Sequence, residues 1–179
     1  FIDNITSITP GALKGGLQAL TRNPTKDEIL IGGSDGVPRI YRMQRVTTRV
    51  IGDDANLIRK FPATRGRIFD AAYAPDGKRI ATVSSLDRKG QLAIFSSEFD
   101  GTMPDDIKSI VQKVAGSESP EERKRLNEYI TADVKLLSQA DVNTSLYSVA
   151  FSPDGQKIAT GGEDGIIRLY HSADGALAS

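Results

Sequence analysis

The stretch LYSVAFSPDGQKIATGGEDGIIRLY, residues 146–170, decides the fold. Its opening, Leu146 to Phe151, sets large side chains against small ones with the period of a strand. Ser152-Pro153-Asp154-Gly155 then reverses the chain, because proline presets φ and glycine accepts a positive one. A second strand starts at Ile158 and runs to the acidic–glycine turn Glu163-Asp164-Gly165. A third, Ile166 to Tyr170, ends on an apolar–aromatic pair.

The unit occurs twice more upstream. The second copy is IFDAAYAPDG (68–77), IATVSS (80–85) and GQLAIF (90–95). Its period-two pattern puts Phe69, Ala71 and Tyr73 on one side and Asp70 and Ala72 on the other. The first copy is LQALTRNP (17–24), ILIGGSDG (29–36) and VPRIY (37–41), with Asn23-Pro24-Thr25-Lys26 in place of the Pro-Asp-Gly turn. Internal repeats of this length point to an architecture of stacked units rather than one continuous domain.

These motifs resemble the WD40 repeat, most strongly over residues 145–171. The resemblance implies an all-β fold, a partial β-propeller of about three four-stranded blades. The implied blades span residues 17–63, 67–138 and 145–179. Residues 1–9 read as the strand that completes a preceding blade, and Gly175 to Ser179 as the start of the last blade's outermost strand. Departures from the family pattern are clear. The Trp-Asp pair that names the repeat is replaced by Ile40-Tyr41, Ile94-Phe95 and Leu169-Tyr170, and the upstream Gly-His pair is missing. The turn aspartate is kept at Asp35, Asp87 and Asp164. In the family it bonds with that histidine; without one, each aspartate is expected to cap its own turn. The divergence resembles bacterial-type WD40 proteins.

Spacing locates the insertions. Pro24 and Pro75 lie 51 residues apart, and Pro75 and Pro153 lie 78 apart, against about 40–45 residues for a WD blade. The longer interval holds residues 101–132, which carry a helical pattern. Ile107, Ile110, Val111 and Val114 form one stripe, with Pro104 before it and Gly116 after it. Ser119-Pro120-Glu121-Glu122 is a capping box, with Leu126, Tyr129 and Ile130 on the apolar side of a second helix. A helical hairpin is therefore expected between the third and fourth strands of the second blade. It either packs on its own blade or a neighbour, or docks a partner.

Closed propellers have roughly four to eight blades, so three blades read as an arc of a larger ring. The missing blades would come from the parent protein, from another chain, or from a second copy as a homo-oligomer.

Composition narrows the chemistry. Among 179 residues, 23 Lys and Arg balance 23 Asp and Glu. A neutral chain lacks the basic excess that nucleic acid or an anionic membrane surface selects. No apolar run approaches the roughly 20 residues of a membrane span. Cysteine is absent, which excludes thiolate metal sites and cysteine nucleophiles. His171, the single histidine, follows the last strand without identifiable catalytic partners. Asp53-Asp54 and Asp105-Asp106 are sequence neighbours, a poor geometry for an acid–base pair. The glycine pairs at 15–16, 32–33 and 161–162 precede no Gly-Lys-Ser/Thr, so they suit close strand packing rather than phosphate. No cofactor, metal or catalytic residue is implied, and no compartment is indicated.

One charge feature stands out. Arg39 to Arg67 holds eight basic and two acidic residues, while Glu98 to Glu128 holds eight acidic and five basic. Arg39, Arg42, Arg45 and Arg49 are the candidate partner-binding patch, unless they serve complementary electrostatics between neighbouring elements. The expected function is a protein-interaction scaffold. The alternative is an accessory propeller of a larger bacterial enzyme or redox protein whose catalytic domain lies elsewhere, as in WD40 proteins fused to cytochrome-type domains; no Cys-x-x-Cys-His haem motif occurs here.

Overall fold

A computed structural model describes residues 16–43, 56–114 and 116–179. The strand expected over 1–9, the Asp53-Asp54 pair, Arg45 and Arg49 lie outside the described residues.

The first sheet is β1 (Leu17–Arg22), β2 (Glu28–Gly33), β3 (Arg39–Arg42) and β4 (Leu57–Lys60), in that spatial order. The second is β5 (Arg67–Tyr73), β6 (Arg79–Leu86), β7 (Lys89–Ser96) and β8 (Leu136–Val142). The third is β9 (Leu146–Phe151), β10 (Lys157–Gly162) and β11 (Ile167–His171). Every pair is antiparallel. Residues 176–179 run beside β11: Leu177 bridges to Tyr170, and the Ala178 N–H donates to the Leu169 carbonyl.

The turn chemistry explains these meanders. In the second sheet the Gly77 N–H closes on the Ala74 carbonyl, with the Lys78 N–H donated to Asp76 Oδ1. Gly155 and Asp154 do the same in the third, toward Ser152 and Gln156. The first sheet reaches a similar reversal with Asn23, whose Oδ1 accepts from the Thr25 and Lys26 N–H groups. An asparagine side chain can mimic a backbone turn in this way.

The sheets stack face to face through two apolar layers. Leu30, Ile40 and Ile58 of the first pack with Ala71, Tyr73, Ile80 and Phe95 of the second. Ala81, Val83, Leu92 and Ile94 on the second sheet's other face pack with Val149, Ile158 and Tyr170 of the third. The strands β1, β5 and β9 lie side by side at one edge of this stack, the inner edge. Close approach needs glycine: a Cβ on Gly32 would sit 2.7 Å from Ile68 Cγ2.

The helical insertion follows β7. Helix α1 is Asp105–Val111 and α2 is Pro120–Thr131. Ser119 and Glu122 form the expected reciprocal capping box. Helix α1 is shorter than the apolar stripe suggests. It ends at Val111, and Val114 stands 72% exposed beyond it. Ile107, Ile110 and Val111 bury against Tyr129, flanked by Leu126 and Ile130. The hairpin packs on the neighbouring first sheet: α2 lies along β4, and Ile130 packs against the Ile29, Ile31, Tyr41 and Leu57 cluster.

Candidate interaction face

The three turns β2–β3, β6–β7 and β10–β11 share one end of the stack. Next to each, the inner strand carries a bulge. The ladder steps from Leu17 to Ala19 in β1, from Ile68 to Asp70 in β5, and from Leu146 to Ser148 in β9. Gln18, Phe69 and Tyr147 are the extra residues. A bulge re-aims side chains and increases local twist. In β5 it overturns the simple alternation: Ile68, not Phe69, joins Ala71 and Tyr73 in the core. Phe69 is released to the turn end, where its ring meets Tyr147 edge-on at a centroid distance of 5.1 Å. Tyr147 is 45% exposed, and Leu20 on β1 is 58% exposed. Arg65, Arg67 and Arg88 are exposed, with Arg65 3.8 Å from Asp141.

The bulges are fixed from below. Asp70 accepts the Val149 N–H (2.9 Å) and the Ala71 N–H (2.8 Å), which ties β5 to β9. Ser85 accepts the Leu146 N–H at 2.8 Å and donates to the Leu146 carbonyl at 3.1 Å, in a buried setting. The aromatic pair therefore stands on a rigid seam between two sheets.

The three turn aspartates fall into two kinds. Asp35 accepts the Val37 N–H and holds Arg39 at 2.7 Å; Asp164 accepts the Ile166 N–H and holds Arg168. The Arg168 hydrogen bond keeps the Asp164 carboxyl below its ordinary range. Asp87 differs. It and Arg88 are the central residues of a two-residue turn between the paired Leu86 and Lys89, with φ of 51° and 60°. Its place four residues on is Gln91, which donates to Asp141 and accepts the Arg65 N–H. Arg88 reaches Glu163 across the sheet boundary at 3.2 Å.

Of the four arginines of the candidate patch, Arg39 and Arg42 are among the described residues, and both bond within the chain. Arg39 is buried on Asp35. Arg42 donates to the Gly101 carbonyl and to the Tyr129 hydroxyl. Arg59, which the sequence did not single out from its basic run, is the main fastener of the insertion. Its guanidinium donates to the carbonyls of Ala132 (2.9 Å), Ile58 (2.7 Å) and Asp100 (2.7 Å). It also lies over the rings of Phe99 (4.8 Å) and Tyr129 (4.9 Å). Arg42 and Arg59 thus reach the insertion through carbonyl oxygens, a hydroxyl and aromatic faces. No spacing in the sequence signals this.

At the opposite end of the stack, a cleft of about 540 Å³ opens between the β1–β2 turn, the β5–β6 turn and the β7–α1 linker. Its walls include Lys26, Lys78, Asp76, Glu98 and Phe99. His171 ends β11, exposed to solvent. Among the described residues no cluster of His, Asp and Glu could hold a metal, and no helix is long and apolar enough to cross a membrane.

Comparison with known proteins places this geometry. Residues 135–171 match the family "WD domain, G-beta repeat". The match begins on β8, the outer strand of one sheet, and runs through the three strands of the next. A 44-residue segment, 25% of this chain, is 41% identical to the periodic tryptophan protein 2 homolog of Dictyostelium discoideum and covers 5% of that protein. That relative is eukaryotic, so the bacterial cast of the sequence reading gains no support. Among solved structures, Sqt1 of Chaetomium thermophilum, bound to the N-terminus of the ribosomal protein L10, superposes with a TM-score of 0.58 at 16% identity. That match covers 94% of this chain and 34% of Sqt1. The C-terminal WD40 domain of Sif2 gives 0.57 at 18% identity, covering 93% of this chain and 36% of that one. The chain thus spans about a third of the length of these solved neighbours. Nothing in these matches favours an accessory domain of an enzyme. Residues 135–171 are thus similar to a WD40 repeat, and the three stacked sheets share the fold of part of these WD40-type solved structures.

Proposed function

We propose that this chain is part of a WD40-type scaffold that holds a protein partner on the face carrying the β2–β3, β6–β7 and β10–β11 turns. The observation that carries the reading is the Phe69–Tyr147 pair. Two aromatic rings stand on adjacent inner strands, raised by bulges and partly open to solvent. Aromatic anchors on a rigid base give binding area at small entropic cost, and few such residues dominate most interfaces. The exposed Arg67, two residues before Phe69, suits a partner segment that combines an apolar anchor with an acidic residue. Sqt1, with a similar fold, is known bound to the N-terminal segment of another protein, which supports peptide capture as the mode. Arg39 and Arg42, engaged within the chain, act in this reading as supports of the turn and of the insertion rather than as partner contacts.

The test is selection from a displayed random-peptide library on the chain, followed by binding to Phe69→Ala and Tyr147→Ala. The reading expects enriched peptides that lose about tenfold or more in affinity on either variant. Peptides that bind both variants as well as the parent chain would overturn it.

A further inference from the structure

We infer that the cleft at the end of the stack opposite the turn face binds an arginine side chain from an extended segment of another protein, and that Lys26 holds the place of that arginine in the unbound chain. The cleft and the turn face lie at opposite ends, so this inference stands apart from the partner proposed for the turns.

The cleft forms where three pieces of chain meet. The β1–β2 turn supplies Lys26, and the β5–β6 turn supplies Asp76 and Lys78. The two roots of the helical insertion supply Glu98, Phe99 and Asp100 on entry and Asp133 on exit. Arg59 ties the roots together through the Asp100 and Ala132 carbonyls. The volume of about 540 Å³ falls within the roughly 300–1,000 Å³ of ligand pockets.

Phe99 carries the argument. Its ring already attracts cations: the Arg59 guanidinium lies 4.8 Å from the centroid and the Lys26 ammonium 5.7 Å. Arg59 is fixed there by its three carbonyls. Lys26 is exposed and makes no ion pair among the described residues. It sits near the limit of about 6 Å over which such contacts act. A second cation is therefore held over the ring by the ring alone.

The walls favour exchange of that lysine for an arginine. Four carboxylates share the cleft with two ammonium groups. Asp76 lies 3.8 Å from Arg79, and Glu98 lies 3.5 Å from Lys78. Asp100 accepts the Thr102 N–H at 2.8 Å, and Thr102 holds its carboxyl below the ordinary range, with Arg59 and Lys26 adding to the effect. Asp133 is exposed, and its carboxylate has no hydrogen bond or ion pair among the described residues. It is the group left to receive an incoming cation. A guanidinium stacks on an aromatic face and presents a fork of donors to a carboxylate, which one ammonium cannot do together. The site therefore selects arginine over lysine.

The probe is the peptide acetyl-Gly-Gly-Arg-Gly-Gly-amide, titrated against the isotope-labelled 179-residue chain by NMR. Lysine and citrulline versions are the controls; citrulline keeps the shape of arginine and removes its charge. The arginine peptide is expected to shift the amides of Lys26, Lys78, Phe99 and Asp133 and to leave those of Phe69 and Tyr147 in place. The lysine peptide should bind about threefold more weakly or worse, and the citrulline peptide should not shift the cleft. Lys26→Ala removes the competing ammonium and should tighten arginine binding about threefold. Asp133→Asn should weaken it by about as much; asparagine also accepts the left-handed backbone at this position, where φ is 56°. Both are surface changes, and an unchanged melting temperature shows that the fold is intact. Equal shifts from the arginine and citrulline peptides would overturn the proposal. So would an arginine affinity that Lys26→Ala lowers or leaves the same, shifts confined to the turn face, or no cleft shift at about 10 mM peptide.

Discussion

Replacing Arg59 with methionine separates the fastening of the insertion from the packing of the sheets. Methionine keeps most of the apolar stem but removes the guanidinium. Three carbonyls, those of Ile58, Asp100 and Ala132, then lose their donor, and the stack over Phe99 and Tyr129 loses its cation. A charged hydrogen bond contributes about 1.5–3 kcal/mol, and a desolvated cation–π contact about 2 kcal/mol. The sum overstates the loss, because burying a guanidinium is itself costly and an apolar replacement recovers part of that. The Ile58 carbonyl has the least access to water and carries most of the unmet cost. A net loss of about 2–4 kcal/mol follows. Urea denaturation measures the total, and amide exchange shows where it falls. The amides of α2 and of the Asp100–Pro104 linker should lose protection first, with β5, β6 and β7 nearly unaffected. Arg59→Lys should recover only a minor part, since one ammonium cannot reach three carbonyls in the guanidinium's fork. A change below about 0.5 kcal/mol, within the ordinary range for surface substitutions, would refute the assignment of Arg59 as fastener. So would a loss of protection spread evenly over all three sheets.

Other outcomes are as specific. Ser85→Ala leaves the buried Leu146 N–H without its side-chain acceptor and should cost about 1–3 kcal/mol, read by chemical denaturation, with exchange rising first in β9. Arg88→Gly relieves a left-handed turn residue and gives up only a largely exposed ion pair with Glu163. It should stabilise by roughly 0.5–1 kcal/mol, seen as a higher melting temperature. Asp154 and Asp164 have carboxyl groups held below their ordinary range, by the Ser152 hydroxyl and the Arg168 guanidinium respectively. A depressed folded value means that their stabilisation is present above the unfolded value of about 4 and is lost as pH falls through the folded one. The melting temperature of Asp164→Asn should therefore fall less than that of the parent chain between about pH 5 and pH 2. An unchanged slope would remove Asp164 from the acid response.

Much of this fold can be read from residues 146–170, because strand alternation and turn residues are local signals. The capping box at Ser119 is another, and the second helix starts where it predicts. What stayed hidden has physical reasons. A bulge adds one residue without changing composition, so period two sets Phe69 on the side of Ala71 and Tyr73 and misses the Phe69–Tyr147 pair that defines the candidate face. The three turn aspartates look alike in sequence. Gly36 and Gly165 take the positive φ that frees Asp35 and Asp164 to bond their arginines, whereas Arg88 must take it beside Asp87. The fate of Arg42 and Arg59 was out of reach, since their partners lie far along the chain. The contacts from Arg42 to Tyr129 and from Arg59 to Ala132 exist only after the hairpin folds across β4.

The proposed binding face is the turn end that carries Phe69 and Tyr147. Its most direct measurement is calorimetric affinity of one selected peptide for three chains: the parent, Tyr147→Ala, and Arg123→Glu on the exposed side of α2. Tyr147→Ala should lose about tenfold or more in affinity, roughly 1.4 kcal/mol, and Arg123→Glu should change nothing. Undiminished binding to Tyr147→Ala, or a loss confined to Arg123→Glu, would contradict it.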